Sequence, residues 1–386
     1  MTDIDQSRFD KRLDGDFLTS AEAASLLGVK PATLYTYVSR GLLRSAPDPS
    51  SRRNRYLRAD VERLRDRARA RSGQGPVAAD ALHWGEPVLD TRVGSIEVDG
   101  PRYRGRSAVE LATTGATVSD VAALLWDDDE PWELLADEDA RGFADELATL
   151  VPEDTLPLDR LALALPFLAA HDPARFEAAP AVELARARRL IPTLAAVLGL
   201  GSLLADPQAP IAHRAAVLSA DHGLNASTFA ARVTASTGAD LYACLIAGVA
   251  ALSGPRHGGA CERIEALLRD AEDLGPERAV HLRLRRGEAV PGFRHPLYPD
   301  GDPRTAPLMD VAKDPTADGV IETMAAAGFD PPTLDFGLVA VARTLKLPSG
   351  GATALFALGR SVGWVAHILE QRTLPGLLRP RARYVG

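Results

Sequence analysis

Seven residues, far apart in the chain, sit in unusual local text. His222 lies in SADHGLNASTFAARV, His257 in LSGPRHGGA, His295 in PGFRHPLYPDGDPR and Asp335 in PTLDFG; Arg304, Arg360 and Arg379 complete the set. Imidazoles and a carboxylate can move protons at neutral pH, and planar guanidinium forks match carboxylates. Each residue is weak evidence alone. A lone histidine in helical text is more often structural, and an aspartate after Pro-Pro-Thr-Leu reads as a cap or turn. Context changes this for two of them. His257 follows Gly-Pro and precedes Gly-Gly, a helix end where missing side chains let a ligand approach the backbone. His295 is presented by a loop dense in proline and glycine. His83, His171, His213, His281 and His367 lack such surroundings and read as structural.

Two other chemistries fit less well. Gly359-Arg360-Ser361-Val362-Gly363 matches G-x-S-x-G, but a serine hydrolase needs a strand-turn-helix context, then an acid and a histidine in order. Only Glu370 follows Ser361 as an acid, no histidine follows it, and the region reads as continuous helix. His257 and Cys261 are four apart, yet no further ligands gather nearby, so no metal site is expected; Cys261 reads as a small buried residue.

The elements that must hold these residues are mostly helical. Alanine- and leucine-rich periodicity predicts helices over 107–126, 138–151, 181–204, 209–220, 226–252 and 351–371. Residues 88–105 read as a short hairpin turning at Asp99-Gly100. Residues 258–345, rich in proline, glycine and charge, read as a smaller, looser subdomain.

The 386 residues suit two or three domains. Residues 1–71 hold 15 basic and 10 acidic residues, a balance of +5; the rest hold 29 and 42, a balance of −13. That asymmetry suggests different partners for the two parts. Two cysteines give no disulfide framework and fit a reducing, cytoplasmic setting. The polar N-terminus is not a signal peptide. The apolar run Leu241 to Leu252 is too short to span a bilayer, so no membrane partner is expected.

In the basic segment, FLTSAEAASLLGVKPATLYTYVSRGLL reads as two short helices around a turn at Gly28. Ser20 and Glu22 suit the first start; Ala23, Ala24, Leu26 and Leu27 supply its buried face. Pro31 opens the second helix, 31–40, with Thr33, Tyr35, Thr36 and Arg40 as its exposed candidates. Arg52, Arg53, Arg55 and Arg58 then cluster around Tyr56, which resembles the wing of MerR/excisionase-type DNA-binding domains. Such a module can neutralise phosphates while its helix reaches base edges. The competing reading is a docking module with solvated arginines. Thr33, Tyr35, Arg40, Arg52, Arg53 and Arg55 are the DNA-contact candidates.

From about residue 84 to the end, the chain resembles the citrate synthase superfamily. DHGLNASTF, GPRHGGA, PGFRHPLYPDGDPR, LDF at 334–336, LGRSVGW at 358–364 and the terminal RPRARYVG occur in that family's order and near its spacing. The hairpin text ending YRG, before SAVELA, is similar too. The resemblance implies condensation of acetyl-CoA, or propionyl-CoA, with oxaloacetate, as at the entry of the tricarboxylic acid cycle. The CoA thioester is a substrate, and no other cofactor is implied. Asp335 would be the base, His257 the donor to the thioester oxygen, and His295 the group polarising the ketone. His222, Arg304, Arg360 and Arg379 would hold the acceptor. The last arginine reaches the partner subunit in that family, which implies a homodimer.

The implied architecture is a winged helix-turn-helix domain over 1–71, a linker over 72–84, a large helical domain over 85–257 and 341–386, and a small one over 258–340. The sequence departs from the family text at Arg294 (commonly Gly), Pro299 (commonly basic), Thr333 (commonly Asn) and LLWDDDEPWE, which lacks the usual Gly-x-Leu-Pro. A DNA-binding regulator whose synthase domain senses a metabolite is the rival reading, although a sensor needs the arginines and not Asp335.

Overall fold

The structure is a computed structural model that describes residues 17–27, 29–39, 43–47, 54–58, 60–62, 89–130, 132–206 and 209–379. Two compact units divide the chain: Met1–Asp90 with Arg379–Gly386, and Thr91–Leu378. The expected large- and small-domain residues from 91 to 378 thus fall in one unit, whereas 85–90 and 379–386 group with the other.

In the first unit, β1 (Phe17–Leu18) leads into α1 (Ser20–Leu27) and α2 (Pro31–Ser39), and β2 (Ser45–Pro47) and β3 (Asn54–Leu57) follow. The sheet order β1-β3-β2 is antiparallel throughout. The first helix starts at a reciprocal cap on Thr19, one residue before the expected Ser20. The Thr19 amide donates to Glu22 Oε2 at 2.8 Å, and the Glu22 amide donates back to Thr19 Oγ1 at 3.3 Å. Ala23, Ala24, Leu34, Leu43, Tyr56 and Val61 form a small core, with Leu26 and Leu27 against it. Tyr56 faces inward, opposite Leu18 and Ser45, so it anchors the wing.

Thr33 and Arg55 are half-buried, where free exposure was expected of Thr33. Arg55 Cζ lies 6.0 Å from the Phe17 ring centroid. Arg40, Arg52, Arg53 and the side chains of Tyr35 and Thr36 lie outside the described residues.

The second unit opens on a sheet of β4 (Gly94–Glu97), β5 (Gly100–Tyr103) and β6 (Arg106–Ser107). Glu97 pairs with Gly100, so the hairpin turns at Val98-Asp99, one residue earlier than expected. Helices follow: α3 (Ala108–Thr113), α4 (Val118–Trp126), α5 (Glu138–Leu150), α6 (Pro157–His171), α7 (Pro180–Val197), α8 (Gly201–Ala205), α9 (Pro210–Ser219), α10 (Ala226–Ser236) and α11 (Leu241–Leu252). Next come α12 (Ala260–Leu274), α13 (Pro276–Arg285), α14 (Ala306–Met309), α15 (Pro315–Ala326), α16 (Leu334–Thr344) and α17 (Gly351–Arg372).

Three helices expected as continuous are broken near Gly115, Gly199 and Gly238, each at positive φ. Capping sets the restarts. Thr117 and Asp120 form a capping box, and Asn225, Asp240 and Asp314 cap with their side chains. Residues 258–345 are more helical than expected; their long irregular stretch is 286–305.

The core helix is α17, buried from Gly351 to Ile368. It packs against α4, α6, α7, α9, α10, α11, α12 and α16. It is also the described helix long and apolar enough to cross a membrane, and 94% of that apolar window is buried inside the unit. Two glycines let it approach α9: a Cβ at Gly359 would overlap the carbonyl oxygen of Ala216, and one at Gly363 that of Ala220. This accounts for the G-x-S-x-G spacing. Ser361 itself donates to Ala357 O at 2.8 Å inside the helix, which is no nucleophile elbow.

Candidate active site

Three irregular segments, the start of α16 and the middle of α17 supply the site. The first follows α9. There Asp221 is buried and accepts from the Gly223 amide at 3.2 Å, and its Oδ1 lies 3.1 Å from His367 Nε2. Burial pushes the Asp221 carboxyl up, but the charges of His367 and Arg360 outweigh this and hold it below the ordinary carboxylate range. His367 therefore pins the residue directly before His222, a contact its bland sequence context did not reveal. His222 Nε2 lies 3.0 Å from Tyr298 Oη. Burial, then the charges of Arg304, Arg360 and His295, hold His222 well below the ordinary imidazole range.

His257 occupies the turn between α11 and α12, where its amide donates to Gly254 O at 2.9 Å. Its Nε2 lies 2.9 Å from Ser227 Oγ, which also accepts from Trp364 Nε1 at 3.3 Å. Ser227 has one proton for two acceptors, since Asn225 Oδ1 stands 2.8 Å away. Asn225 Oδ1 already receives the Thr228 amide at 3.1 Å. When Ser227 donates to Nε2, the ring carries its own proton on Nδ1, the nitrogen left for a ligand. Burial, followed by the Arg360 charge, pushes His257 down to about 4, so the ring is neutral near pH 7.

The third segment carries His295. Its Nδ1 accepts the Leu297 amide at 3.2 Å, which places the proton of the neutral ring on Nε2. Burial and the Arg304 charge lower its pKa. The His222 and His295 rings meet edge-on with centroids 5.5 Å apart. Tyr298 serves both: its ring centroid is 5.7 Å from His222 and 5.1 Å from His295. Burial pushes its hydroxyl up to about 12, so it stays protonated and can donate to His222. Arg304, buried, is held by Asp302.

Asp335 is half-buried in the first turn of α16. The same loop that carries His295 is stitched to this helix start: the Thr333 amide donates to Gly292 O at 2.8 Å, and the Leu334 amide donates to Asp302 Oδ2 at 3.1 Å. Burial raises the Asp335 pKa; Arg304 opposes this and Asp302 reinforces it. Cys261, four residues after His257, lies with its sulfur 3.8 Å from Asp335 Oδ1.

Arg360, on the buried α17, donates to Ser219 O at 2.9 Å through Nε. Its Nη1 is buried with no partner among the described residues. A carboxylate-bearing ligand would satisfy that donor. Burial pushes its pKa down to about 10, which leaves it charged near pH 7. Arg360 acts electrostatically on His222 and His257 and is acted on by Asp221, Arg304 and Asp335. Arg379 is exposed and groups with the first unit. Tyr298, Asp302, Ser227 and Asp221 were missed by sequence reasoning, although Tyr298 and Asp302 lie within the PGFRHPLYPDGDPR text. Of the histidines read as structural, His213 bonds the Val118 amide at 3.3 Å and His171 stacks on Phe167; His83 lies outside the described residues. Among the described residues no group of His, Cys, Asp and Glu is placed to hold a metal ion.

Comparison with known proteins adds a family to this geometry. Residues 201–381 match the model "Citrate synthase, C-terminal domain", and residues 17–69 match "Helix-turn-helix domain". The citrate synthase of Haloferax volcanii is 30% identical over 359 residues, covering 78% of this chain and 93% of that protein. The 2-methylcitrate synthase of Mycobacterium tuberculosis is 31% identical over 337 residues, covering 74% and 84%. Mycobacterial relatives carrying a citrate synthase 2 name align at 39% identity over 193 residues; there the chain spans 49% of the relative, about half its length. The solved citrate synthase of Thermoplasma acidophilum, in complex with carboxymethyl coenzyme A and oxaloacetate, has the same fold: TM-score 0.63 at 23% identity, over 78% of this chain and 94% of that one.

Proposed function

The chain belongs to the citrate synthase family, and on that footing we propose that it condenses acetyl-CoA with oxaloacetate and water to give citrate and CoA. The observation that carries this reading is the pair His222 and His295, neutral and 5.5 Å apart, beside buried Arg360 with its unpartnered Nη1. Neutral donors and free guanidinium N–H groups are what a 2-oxo dicarboxylate needs.

Asp335 removes a proton from the thioester methyl group. His257 donates from Nδ1 to the thioester oxygen as it becomes an enolate oxygen. The methyl carbon attacks the ketone carbon, and the ketone oxygen takes the Nε2 proton of His295 to become a hydroxyl. Water then cleaves the thioester, leaving its oxygen in the third carboxylate; one of its protons goes to the departing CoA sulfur and the other restores His295 Nε2, while Asp335 gives the methyl proton to solvent. Arg304 and Arg360 hold acceptor carboxylates throughout. The reaction as written draws on no prosthetic group.

Arg379 is proposed to serve a second subunit in a homodimer. An exposed apolar face on α6, with Leu163 and Phe167, supports a second copy as partner.

The test is release of free thiol from acetyl-CoA by the purified full-length chain. It is expected only when oxaloacetate is present. No release with acetyl-CoA or propionyl-CoA, at any workable enzyme concentration, overturns the enzyme. Faster release with propionyl-CoA selects the 2-methylcitrate synthase reading, which relatives of that name support. A DNA-binding regulator is the further reading, supported by the helix-turn-helix match over 17–69.

A further inference from the structure

We propose that Cys261 is a positioning residue for Asp335: its thiol donates to Oδ1 across 3.8 Å, fixing the carboxylate while leaving Oδ2 as the proton acceptor. This rests on the reading of Asp335 as the base. Cys261 lies in the first turn of α12, four residues after His257, and is buried. Its thiol is the one side-chain donor that Asp335 receives among the described residues. One short turn of chain therefore carries both the thioester donor and the group that orients the base.

The choice of sulfur has a chemical consequence. A thiol is a weak donor. Strong donors stabilise a carboxylate and make it a poorer base. A thioester methyl is a very weak acid, so its base must be oriented without being weakened. A thiol meets both demands where an amide or hydroxyl at full hydrogen-bond distance would not.

The surroundings keep the sulfur protonated. Burial, Asp335 and Glu265 push the Cys261 thiol well above its ordinary value, and Thr353 of α17 opposes them. Around Asp335 the charged neighbours are Arg304 and Asp302, and Arg360 feels its charge.

Two measurements on the full-length chain test the proposal. In the first, Cys261→Ala removes the donor. The acid limb of kcat is expected to move up by about half a pH unit, and plateau kcat to fall roughly threefold to tenfold with the oxaloacetate KM unchanged. Cys261→Ser, a stronger donor, is expected to shift the acid limb in the opposite direction to Cys261→Ala, because it holds the carboxylate but weakens it as a base. The second needs no turnover, so it stands even if the proposed reaction fails. In a Cys244→Ala background, the infrared S–H stretch reports Cys261 alone. That band is expected to shift as Asp335 titrates and to rise in frequency, without pH response, in Asp335→Asn. An acid limb in Cys261→Ala superimposed on the parent, or an S–H band indifferent to both pH and Asp335→Asn, overturns the proposal.

Discussion

Asp302 grips Arg304 with both carboxylate oxygens, Nε to Oδ1 at 2.9 Å and Nη2 to Oδ2 at 2.7 Å, and both residues are buried. Oδ2 also receives the Leu334 amide at 3.1 Å, so one carboxylate couples the guanidinium proposed to hold the acceptor to the helix start that presents Asp335. Burial pushes Asp302 up, yet Arg304 outweighs it and keeps the carboxyl below the ordinary range. Removing one member of a buried pair strands the other, at a cost of about 3–5 kcal/mol. Asp302→Ala is therefore expected to lower stability by about 3 kcal/mol or more, read from the urea midpoint at unchanged m. Asp302→Asn, which keeps acceptor oxygen for the amide, should lose less. A loss under about 1 kcal/mol for alanine would refute the coupling.

Asp335→Asn should abolish thiol release and yet stabilise the fold near pH 7. The folded-state pKa of Asp335 is raised, so its contribution to stability is fully present below the unfolded value and is lost as pH rises through the folded value. At neutral pH the parent holds a poorly solvated charge that asparagine lacks. The stability advantage of the variant should grow from acid toward neutral pH in matched thermal melts. Because His257 stays neutral down to about pH 4, an acid limb of kcat above that pH does not report His257. An Asn variant less stable than the parent at pH 7 would contradict the burial argument.

Gly359→Ala and Gly363→Ala should each destabilise strongly, because their Cβ atoms would strike the backbone carbonyls of Ala216 and Ala220 rather than movable side chains. Overpacking of this kind costs about 1–3 kcal/mol, more where backbone must shift. Gly142→Ala, in α5 with open space around it, should be neutral or slightly stabilising. Ser361→Ala should leave turnover intact, since its hydroxyl only bonds Ala357 O. Comparing the four melting temperatures and rates separates close helix packing from a hydrolase elbow.

What the sequence revealed, and what it hid, follows from the range of each interaction. Capping and periodicity are local, so the helices were legible, apart from breaks such as the one at Gly115, where one residue in the left-handed region outweighs a continuous apolar pattern. The histidine and arginine contexts were legible because glycine and proline mark irregular backbone. Tyr298 was not singled out. A tyrosine three residues after His295 signals nothing until a tight turn, closed by the Tyr298 amide on His295 O at 3.0 Å, folds it against His222, 76 residues away in sequence. The contact of Cys261 with Asp335 spans 74 residues and has no local signature at all. Long-range pairings of buried polar groups emerge only from packing.

The N-terminal module gives the last prediction. Residues 1–71 carry a balance of +5, and a helix-turn-helix with a β2–β3 wing is folded around Tyr56. Not every basic side chain there is available to phosphates. Arg44 spends its Nε on Asp60 Oδ2 at 2.8 Å and its Nη2 on Oδ1 at 3.0 Å. Affinity for duplex DNA should fall linearly in log–log terms with salt, with a slope of about −0.9 per neutralised phosphate. Deleting residues 1–75 should remove binding to the chain's own upstream DNA and leave thiol release intact. Replacing Arg52 and Arg53 together by alanine should flatten the slope by about 2, one for each phosphate no longer neutralised. Arg44→Ala should change it little, because Asp60 already neutralises that charge. Equal binding by the truncated chain would defeat the assignment and leave a docking module in its place.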